Sequence, residues 1–327
     1  APIIVAGLKR LEYRGYDSFG VATISGGIQL DKHQGRISDS SDSAVRLKGK
    51  IGIGHTRWAT HGVPNDVNAH PHMDCSGRIA VVHNGIIENY AELKRQLISR
   101  GHIFRSETDT EVVAHLVEEA YSSEKDLLAA VQKVVPKLTG SYALLVIITG
   151  EDRIIAARYA SPLVLGVGDG EFFAASDMTP VIDHTERAIF LEDGDVASVS
   201  HEKIELFHDG KPVQRPLELI DWSGEDTKKG GFPHYMLKEI YEQPQAFYNS
   251  VRSVIGETLP AQVKNADSVT IIACGSSYNA GLIFKYLLED TCAIPVRIDF
   301  GSEFKYFPPP VKGLVIGISQ SGETADT

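Results

Sequence analysis

The sequence is poor in cysteine, in basic charge and in long apolar runs, and each shortage argues against a class of protein. Its 327 residues carry 32 lysines and arginines against 43 aspartates and glutamates, a formal net charge of −11. Such a chain lacks the basic face that nucleic-acid phosphates require, so we expect no nucleic-acid partner. No apolar stretch approaches the length of a membrane span and no signal-peptide pattern opens the chain, so we expect no membrane partner.

The three cysteines, Cys75, Cys274 and Cys292, match neither a disulfide framework nor a metal-binding spacing. This usage is typical of a reducing compartment, so we expect a cytoplasmic protein with no metal or other cofactor. Two nucleotide motifs are also missing. No GxxxxGK(S/T) segment occurs, and the pair Gly52 and Gly54 lacks the third glycine of a dinucleotide-binding loop.

Sequence pattern divides the chain into two domains. Residues 1–207 hold amphipathic helical segments and then short strands, whose tight Gly- and Asp-containing turns favour antiparallel pairing. Residues 208–233 are polar, with glycines and prolines, and form the predicted linker. Residues 234–327 alternate helical stretches with continuous apolar strands, a pattern typical of a parallel α/β sheet.

Both ends of the printed sequence look interrupted. It opens at Ala1 within a helical pattern, and it ends at Thr327 just after a polar turn at 319–324 that reads as a helix start. A helix start without its helix leaves backbone donors unpaired. We therefore expect the sequence to be a piece of a longer protein.

The densest polar segment runs from His55 to Gly85 and contains five histidines. Their spacing fits no zinc motif, so a metal site is the less favoured interpretation. A polar loop that simply packs is the structural alternative. Against it, Arg57 supplies a bidentate donor for an anion and Trp58 a bulky aromatic lid. That combination suits a small carboxylated ligand.

Two further features have both a structural and a functional interpretation. Asn84-Gly85 follows a predicted strand at 79–83, and the spacing alone favours a tight turn there. The functional alternative is an oxyanion hole, built from a side-chain amide and a backbone N–H. Asp109 either caps the helix that follows it, pairs with a ligand ammonium, or does both.

In the second domain two apolar strands lead into hydroxyl-rich turns, at 274–277 and 319–324. Hydroxyls and helix-start amides at the carboxyl edge of a parallel sheet form a phosphate cradle. Two ordinary N-capped helices are the alternative. Because two such turns lie on one predicted sheet, phosphate binding is the favoured interpretation.

Together these blocks resemble the glucosamine-6-phosphate synthase family, the isomerizing glutamine–fructose-6-phosphate aminotransferases. The resemblance covers nearly the whole chain and is carried by residues 11–18, 55–62, 68–72, 81–89, 106–111, 238–244, 274–279 and 319–327. It implies a class II glutaminase over residues 1–207, with the four-layer αββα sandwich of the N-terminal-nucleophile hydrolases. Over residues 234–327 it implies a partial sugar isomerase (SIS) domain, a three-layer αβα fold.

The resemblance also implies an activity. Members of this family convert fructose 6-phosphate and glutamine to glucosamine 6-phosphate and glutamate, and they are homodimers largely through the isomerase half. Arg57 would hold the glutamine α-carboxylate and Asp109 its α-amine, while Asn84 and the Gly85 amide would stabilise the oxyanion. The implied glutamine pocket consists of Arg57, Trp58, Thr60, His61, Gly85 and Asp109.

Further roles follow from position in the family. Arg14 is implied to lie near the nucleophile, Trp58 to gate an ammonia channel, and His70 to belong to a loop that responds to the sugar. The implied sugar-phosphate-binding residues are Ser277, Ser319, Gln320, Ser321 and Thr324.

The sequence departs from the family at its ends. The family's nucleophile is an N-terminal cysteine, which is absent ahead of Ala1, and Cys75 does not replace it because no α-amine adjoins it. The second SIS domain and the C-terminal tail, which supply the isomerisation residues, are absent too. We therefore expect the chain as printed neither to hydrolyse glutamine nor to form product. Release of glutamate above a protein-free control would contradict this expectation.

Two alternatives stay open. The first is another class II amidotransferase, whose glutaminase serves a phosphoribosyl or ATP-using domain; the turns at 274–277 and 319–324 speak against it. The second is a non-enzymatic SIS protein that binds a sugar phosphate. Such a sensor has no use for Arg57 and Asn84-Gly85, and it would bind the sugar but not glutamine.

Overall fold

The chain divides into two compact units, Ala1–Thr227 and Lys228–Thr327. Each unit has a hydrophobic core of its own, and each is described by itself. The computed structural model describes residues 1–40, 42–58, 62–220, 232, 234–254, 266–311, 313–319, 324 and 326–327. Within these ranges no helix is both long and apolar enough to cross a bilayer.

The first unit mixes strands and helices along the chain. Its strands are β1 (Ser18–Ile24), β2 (Ile28–Gln34), β3 (Ile51–Arg57), β4 (His72–Met73), β5 (Ile79–Ile87), β6 (Gly140–Ile148), β7 (Arg153–Tyr159), β8 (Val164–Val167), β9 (Phe172–Ala175), β10 (Arg187–Phe190), β11 (Asp195–Ser200), β12 (Ile204–His208), β13 (Lys211–Val213) and β14 (Glu218–Leu219). Its helices are α1 (Pro2–Leu11), α2 (Ile37–Ser40), α3 (Asp42–Val45), α4 (Tyr90–Ser99), α5 (Glu111–Glu124) and α6 (Leu127–Val134), with 3₁₀ turns at Glu12–Arg14 and Val135–Lys137.

These strands form three antiparallel sheets. The largest has seven strands in the order β13-β12-β11-β7-β6-β5-β4, and its long central pair, β5 and β6, is in register from Ile79 opposite Ile148 to Ile87 opposite Gly140. The other two have the orders β2-β1-β3 and β14-β10-β8-β9. Antiparallel pairing follows from the tight turns that join most neighbouring strands.

Both faces of the seven-stranded sheet are buried. Successive residues of a strand point to opposite faces, so one strand contributes to two core clusters. In β6, Leu144 and Val146 pack in a core cluster with residues of α4, α5 and α6. Ala143 and Ile147 lie on the opposite face, where they pack against residues of the two smaller sheets. One face therefore carries helices and the other carries sheets.

A second helical layer covers the three-stranded sheet. Val5 and Leu8 of α1 pack on Phe19 and Val21 of β1, and the short helices α2 and α3 join the same cluster. Ala22, the next residue of β1, points the other way and packs with the seven-stranded sheet. The layers thus follow the order helix, sheet, sheet, helix, which confirms the αββα sandwich predicted for the first unit.

The second unit is built on a parallel sheet. Its strands are β15 (Val269–Ala273), β16 (Val296–Phe300) and β17 (Leu314–Ile318), and its helices are α7 (Tyr235–Val254), α8 (Gly275–Cys292) and α9 (Gly301–Tyr306). β15 lies between β16 and β17 and pairs in parallel with both. Helix α8 contacts all three strands, and Gly281 permits the approach because a Cβ there would lie 2.7 Å from Ile298 Cδ1. The predicted parallel α/β sheet is confirmed.

Two boundaries differ from the prediction. The linker was placed at 208–233, yet Lys211–Val213 pairs with β12 and Glu218–Leu219 pairs with β10, so these residues belong to the sheets of the first unit. Their prolines and charges read as a linker because edge strands tolerate both. The strand predicted at 79–83 continues to Ile87, so the tight-turn interpretation of Asn84-Gly85 is wrong.

A pair of neighbouring residues in α4 tests the packing of the helical layer. Leu97 is fully buried against α5, whereas the side chain of Ile98 is 52% exposed. We expect Leu97→Ala to lower the free energy of unfolding by about 2–5 kcal/mol, because it leaves a cavity. Ile98→Ala is the control and should cost less than about 0.5 kcal/mol in urea unfolding followed by circular dichroism. Equal losses for the two variants would contradict this packing.

Candidate active site

A cavity of about 1200 Å³ opens between the seven-stranded sheet and the two smaller sheets of the first unit. Ile53 of β3, Ala143 of β6 and Phe172 of β9 contribute to its walls. It also gathers most of the first-unit positions singled out in the sequence, namely Arg14, Arg57, Trp58, His70, Asn84, Gly85 and Asp109. The fold thus brings together residues that lie as much as 95 positions apart along the chain.

Arg57 is the last residue of β3 and is buried, with 4% of its surface exposed. One guanidinium nitrogen, Nη2, donates to the Gly62 carbonyl at 3.1 Å. Burial lowers the pKa of the guanidinium, while the carboxylates of Asp17 and Asp109 oppose that shift. Arginine remains charged under these conditions, so the wall of the cavity carries a fixed cation.

Asp109 lies in the connection that leads into α5. Its Oδ2 accepts a hydrogen bond from the Ile87 amide at 2.7 Å, and the same oxygen lies 3.9 Å from His83 Nδ1. The N-cap position of α5 is Thr110, one residue further on. Asp109 therefore ties the helix entry to the end of β5, and it places a buried carboxylate on the cavity wall near Arg57.

Asn84 and Gly85 lie inside β5, where they pair with Ala143 and Tyr142 of β6. Gly85 has φ of 135°, and an added Cβ would lie 2.2 Å from the Ser141 carbonyl oxygen. Glycine is required here on both grounds, conformation and space. The strand therefore presents a side-chain amide and a close backbone segment to the cavity, which is the donor set that an oxyanion hole needs.

Two more residues border the cavity. Arg14 Nη1 donates to Asp177 Oδ2 at 2.6 Å, and Ser176 Oγ lies 3.5 Å from the same nitrogen. Trp58 is 59% exposed, and its indole meets the Tyr16 ring edge-on, with centroids 5.2 Å apart. The exposed indole of Trp58 is therefore loosely packed, whereas the ion pair with Asp177 fixes the position of the Arg14 guanidinium.

Four histidines cluster at the cavity: His70, His72 and His83 are buried and His55 is half-buried, and all but His72 line the cavity. The rings of His55 and His70 lie 4.4 Å apart, and those of His70 and His72 lie 4.7 Å apart. Thr110 Oγ1 lies 2.9 Å from both His70 Nε2 and His83 Nδ1. Because a hydroxyl donates one hydrogen bond and accepts up to two, it makes both contacts only when at least one of the two ring nitrogens carries a hydrogen.

Burial lowers the pKa of all four rings. For His55 the value falls to about 3, first through burial and then through the neighbouring His83 and Arg57. The pKa of His70 and that of His72 are also depressed, mainly by burial, and burial lowers the pKa of His83 although Asp109 opposes it. The group is therefore neutral at neutral pH.

In the second unit, Ser277 and Ser319 follow the carboxyl ends of neighbouring strands. Ser277 is in the first turn of α8, after β15, and Ser319 follows β17, which pairs with β15. Ser319 Oγ and Thr324 Oγ1 lie 2.9 Å apart. Four other predicted site residues lie outside the described part of the chain, namely Thr60, His61, Gln320 and Ser321.

Comparison with known proteins identifies relatives of the chain. A family profile described as a glutamine amidotransferase domain matches residues 55–183. The chain is 48% identical to the glutamine–fructose-6-phosphate aminotransferases (isomerizing) of Thermus thermophilus and Aquifex aeolicus, over 99% and 100% of its length. It is a relative of the glutamine–fructose-6-phosphate aminotransferases. The chain spans 56% of the length of these relatives.

Solved structures agree with this aminotransferase relationship at the level of the fold. A glutamine phosphoribosylpyrophosphate amidotransferase from B. subtilis has a TM-score of 0.58 at 23% identity, over 90% of this chain and 62% of that one. A structure titled as the allosteric regulatory enzyme of purine biosynthesis has a TM-score of 0.57 at 22% identity, over 98% of this chain and 66% of that one. At such identities the likeness concerns architecture alone.

Some residues of the cavity were not found from the sequence. Ser176 and Asp177 contact Arg14, and Thr110 joins two histidines, yet the sequence assigned no role to any of the three. Asp177 follows Arg14 by 163 positions, and no local pattern indicates such a pairing. For Thr110 the signals were its position beside Asp109, before a helix, and its place in the block 106–111 of the family resemblance.

The neutral histidines predict a pH dependence of stability. Because the pKa of His55 is about 3 in the folded chain and about 6.5 when unfolded, the unfolded state binds more protons between these values. The stabilisation is therefore fully present above about pH 6.5 and is lost as the pH falls towards 3, by up to about 1.4 kcal/mol per pH unit for this ring. Urea unfolding at pH 7, 6 and 5 measures the slope.

Two variants separate His55 from other titrating groups. His55→Asn should flatten the dependence, since it removes one ring that must stay neutral. His201→Asn, at a histidine whose side chain is 75% exposed, should leave the slope as it is. An unchanged slope in His55→Asn would refute this account.

Proposed function

We propose that the first unit binds glutamine and serves as the amide-nitrogen donor of a glutamine–fructose-6-phosphate aminotransferase. The observation that carries this proposal is the cavity itself. Arg57, Asp109 and the Asn84-Gly85 segment all stand on its walls. If these groups lay on separate surfaces, no single glutamine molecule could contact all of them.

The cation and the anion of the cavity suit the two ends of an amino acid. A guanidinium matches the planar geometry of an α-carboxylate, with two parallel hydrogen bonds. The carboxylate of Asp109 attracts an α-ammonium, while its Oδ2 stays anchored by the Ile87 amide. Trp58, Thr60 and His61 complete the proposed pocket.

The amide end of glutamine then faces β5. We place the tetrahedral oxyanion against the Asn84 side chain and the Gly85 backbone, because preformed donors stabilise developing charge most when they need no rearrangement. The rigid pairing of both residues with β6 supplies that preorganisation. The nucleophile of this family is a cysteine N-terminal to Ala1 in this numbering, and Ala1 and Arg14 both line the cavity.

We propose that the second unit holds the phosphate of fructose 6-phosphate. Ser277 and Ser319 lie at the carboxyl ends of adjacent parallel strands, where hydroxyls and helix-start amides hold anions. Gln320, Ser321 and Thr324 are the remaining proposed contacts. In the whole protein, ammonia released from glutamine would pass to the sugar, with Trp58 as the gate and His70 in the responding loop.

Association and location rest on the family relationship. We propose a homodimer, formed largely through the isomerase half, and a cytoplasmic enzyme. The three cysteines are not joined by a disulfide, which suits a reducing compartment.

Glutamine titration by calorimetry tests the pocket without relying on turnover. We expect Arg57→Lys to weaken glutamine binding by about 10- to 100-fold, because the charge remains but the planar fork is lost. Arg78→Lys is the matched control and should bind as the parent does, since Arg78 is exposed and lies outside the cavity. Circular dichroism establishes that both variants are folded.

The same experiment separates the competing functions. An aminotransferase chain should bind glutamine through the first unit and fructose 6-phosphate through the second, in independent titrations. A sugar-phosphate sensor would bind the sugar alone. If Arg57→Lys is folded and binds glutamine as well as the parent, the proposed pocket is wrong.

A further inference from the structure

Four metal-binding groups from three chain segments meet on the helical side of the first unit. Cys75 comes from the turn between β4 and β5, His102 from the segment after α4, and His115 and Glu118 from adjacent positions on one face of α5. One ligand atom from each side chain lies within 4.8 Å of the other three. This group is separate from the cavity, none of whose lining residues it includes.

The spacing of these atoms matches a tetrahedron around a zinc ion. Zinc lies about 2.0–2.1 Å from nitrogen and about 2.3 Å from sulfur, so tetrahedral ligands stand about 3.4 Å apart for two nitrogens and about 3.6 Å apart for sulfur and nitrogen. Cys75 Sγ lies 3.6 Å from His102 Nδ1 and 3.5 Å from His115 Nδ1. The two Nδ1 atoms are 3.2 Å apart, and Glu118 Oε2 is 3.1 Å and 3.4 Å from them.

Hydrogen bonds alone do not account for all of these short distances. His102 Nδ1 and His115 Nδ1 each have three of the other groups within 3.6 Å. A ring nitrogen has one in-plane direction, occupied by a single proton or a single lone pair. A cation at the centre engages all four atoms at once, because their mutual distances are then the edges of one coordination sphere.

The far nitrogens of both rings face carboxylates. His102 Nε2 lies 3.2 Å from Glu119 Oε1, and His115 Nε2 lies 3.6 Å from Glu111 Oε1. Metal-bound histidines in proteins commonly present their second N–H to a carboxylate, which fixes the tautomer and makes the bound nitrogen more basic. Both rings are thus arranged with Nδ1 towards the cluster and Nε2 towards an anion.

Burial raises the pKa of the Cys75 thiol, and one backbone donor opposes that shift. The Ile103 amide donates to Cys75 Sγ at 3.4 Å. The amide of Cys75 itself donates to Glu118 Oε2 at 3.2 Å, which holds that carboxylate beside the thiol. Backbone donors of this kind stabilise a thiolate and orient a carboxylate ligand.

We propose that Cys75, His102, His115 and Glu118 bind one Zn²⁺ ion in a closed tetrahedral site. Zinc binds a thiolate, neutral imidazole nitrogens and a carboxylate oxygen, so the thiol proton of Cys75 is released to solvent on binding. One sulfur, two nitrogens and one oxygen form a donor set that suits zinc. Because the protein fills all four positions, the site is structural rather than catalytic.

The site joins the helical layer to the segment that precedes Asp109. Glu111, which faces His115, accepts hydrogen bonds from the amides of Arg105 at 2.8 Å and Ser106 at 2.6 Å. His102 belongs to the same segment. The ion would therefore fasten residues 102–106 to α5 from two sides and restrict the loop that carries Asp109.

Zinc content measures the site directly. The untagged chain is saturated with Zn²⁺ and passed through a gel-filtration column to remove unbound metal. Its zinc content is then measured by inductively coupled plasma mass spectrometry. We expect one zinc per chain for the parent and for Cys292→Ser, a control at an exposed cysteine of the second unit. Cys75→Ser and His102→Gln should lose the retained zinc. Zinc should also raise the melting temperature of the parent and of Cys292→Ser but not of Cys75→Ser.

Cobalt replacement tests the geometry. Co²⁺ bound to the parent should give intense visible bands of a tetrahedral ion and a near-ultraviolet band from the Cys75 thiolate, which Cys75→Ser should lack. Glu119→Gln should keep the spectrum while weakening zinc binding by about 10- to 100-fold in competition with a chromogenic chelator. The proposal is overturned if the folded parent retains no more zinc than Cys75→Ser, or if its cobalt spectrum is that of an octahedral aqua ion.

Discussion

The hydrogen bond from the Ile87 amide to the Asp109 carboxylate joins the two elements on which the candidate site depends. It holds the end of β5 against the entry to α5 at 2.7 Å, in a buried environment where losing one partner would leave the other unsatisfied. Asn84 and Gly85 stand just upstream of this bond on β5. One contact therefore fixes the distance between the carboxylate and the proposed oxyanion donors.

Electrostatics around this bond are arranged by burial. The guanidinium of Arg57 stands at the cavity wall, while burial lowers the pKa of the four histidines beside it. Neutral rings add no further positive charge beside the guanidinium, so a ligand carboxylate would meet one well-defined cation.

The sequence predicted those features that depend on local pattern. Apolar alternation and tight turns indicated the antiparallel sheets, and continuous apolar strands indicated the parallel one. Asn84-Gly85 was misjudged as a turn on spacing alone, since local propensity favours a turn and only pairing with β6 keeps the strand extended through the glycine. Lys211–Val213 was taken for linker because an edge strand needs no apolar alternation.

The remaining misses are long-range. No local pattern near Arg14 predicts its contact with Asp177, and none near Cys75 predicts its contacts with His102 and His115. Each of these contacts joins chain segments that meet only after folding. Sequence spacing identifies metal ligands only when they lie in the same loop or the same helix. The cluster around Cys75 takes its ligands from three segments, so its spacing has no recognisable form.

The seven-stranded sheet has a practical consequence for protein engineering. It separates the cavity from the layer of α4, α5 and α6, so redesign of the outward surfaces of α4 and α6 is insulated from the ligand-facing side by a full thickness of β-structure. The segment at 105–110 links the helical layer to the cavity, since it leaves that layer and contains Asp109. A loop graft or a fluorescent reporter placed at 105–110 would therefore alter, or respond to, the state of the cavity. One placed on α6 would do neither.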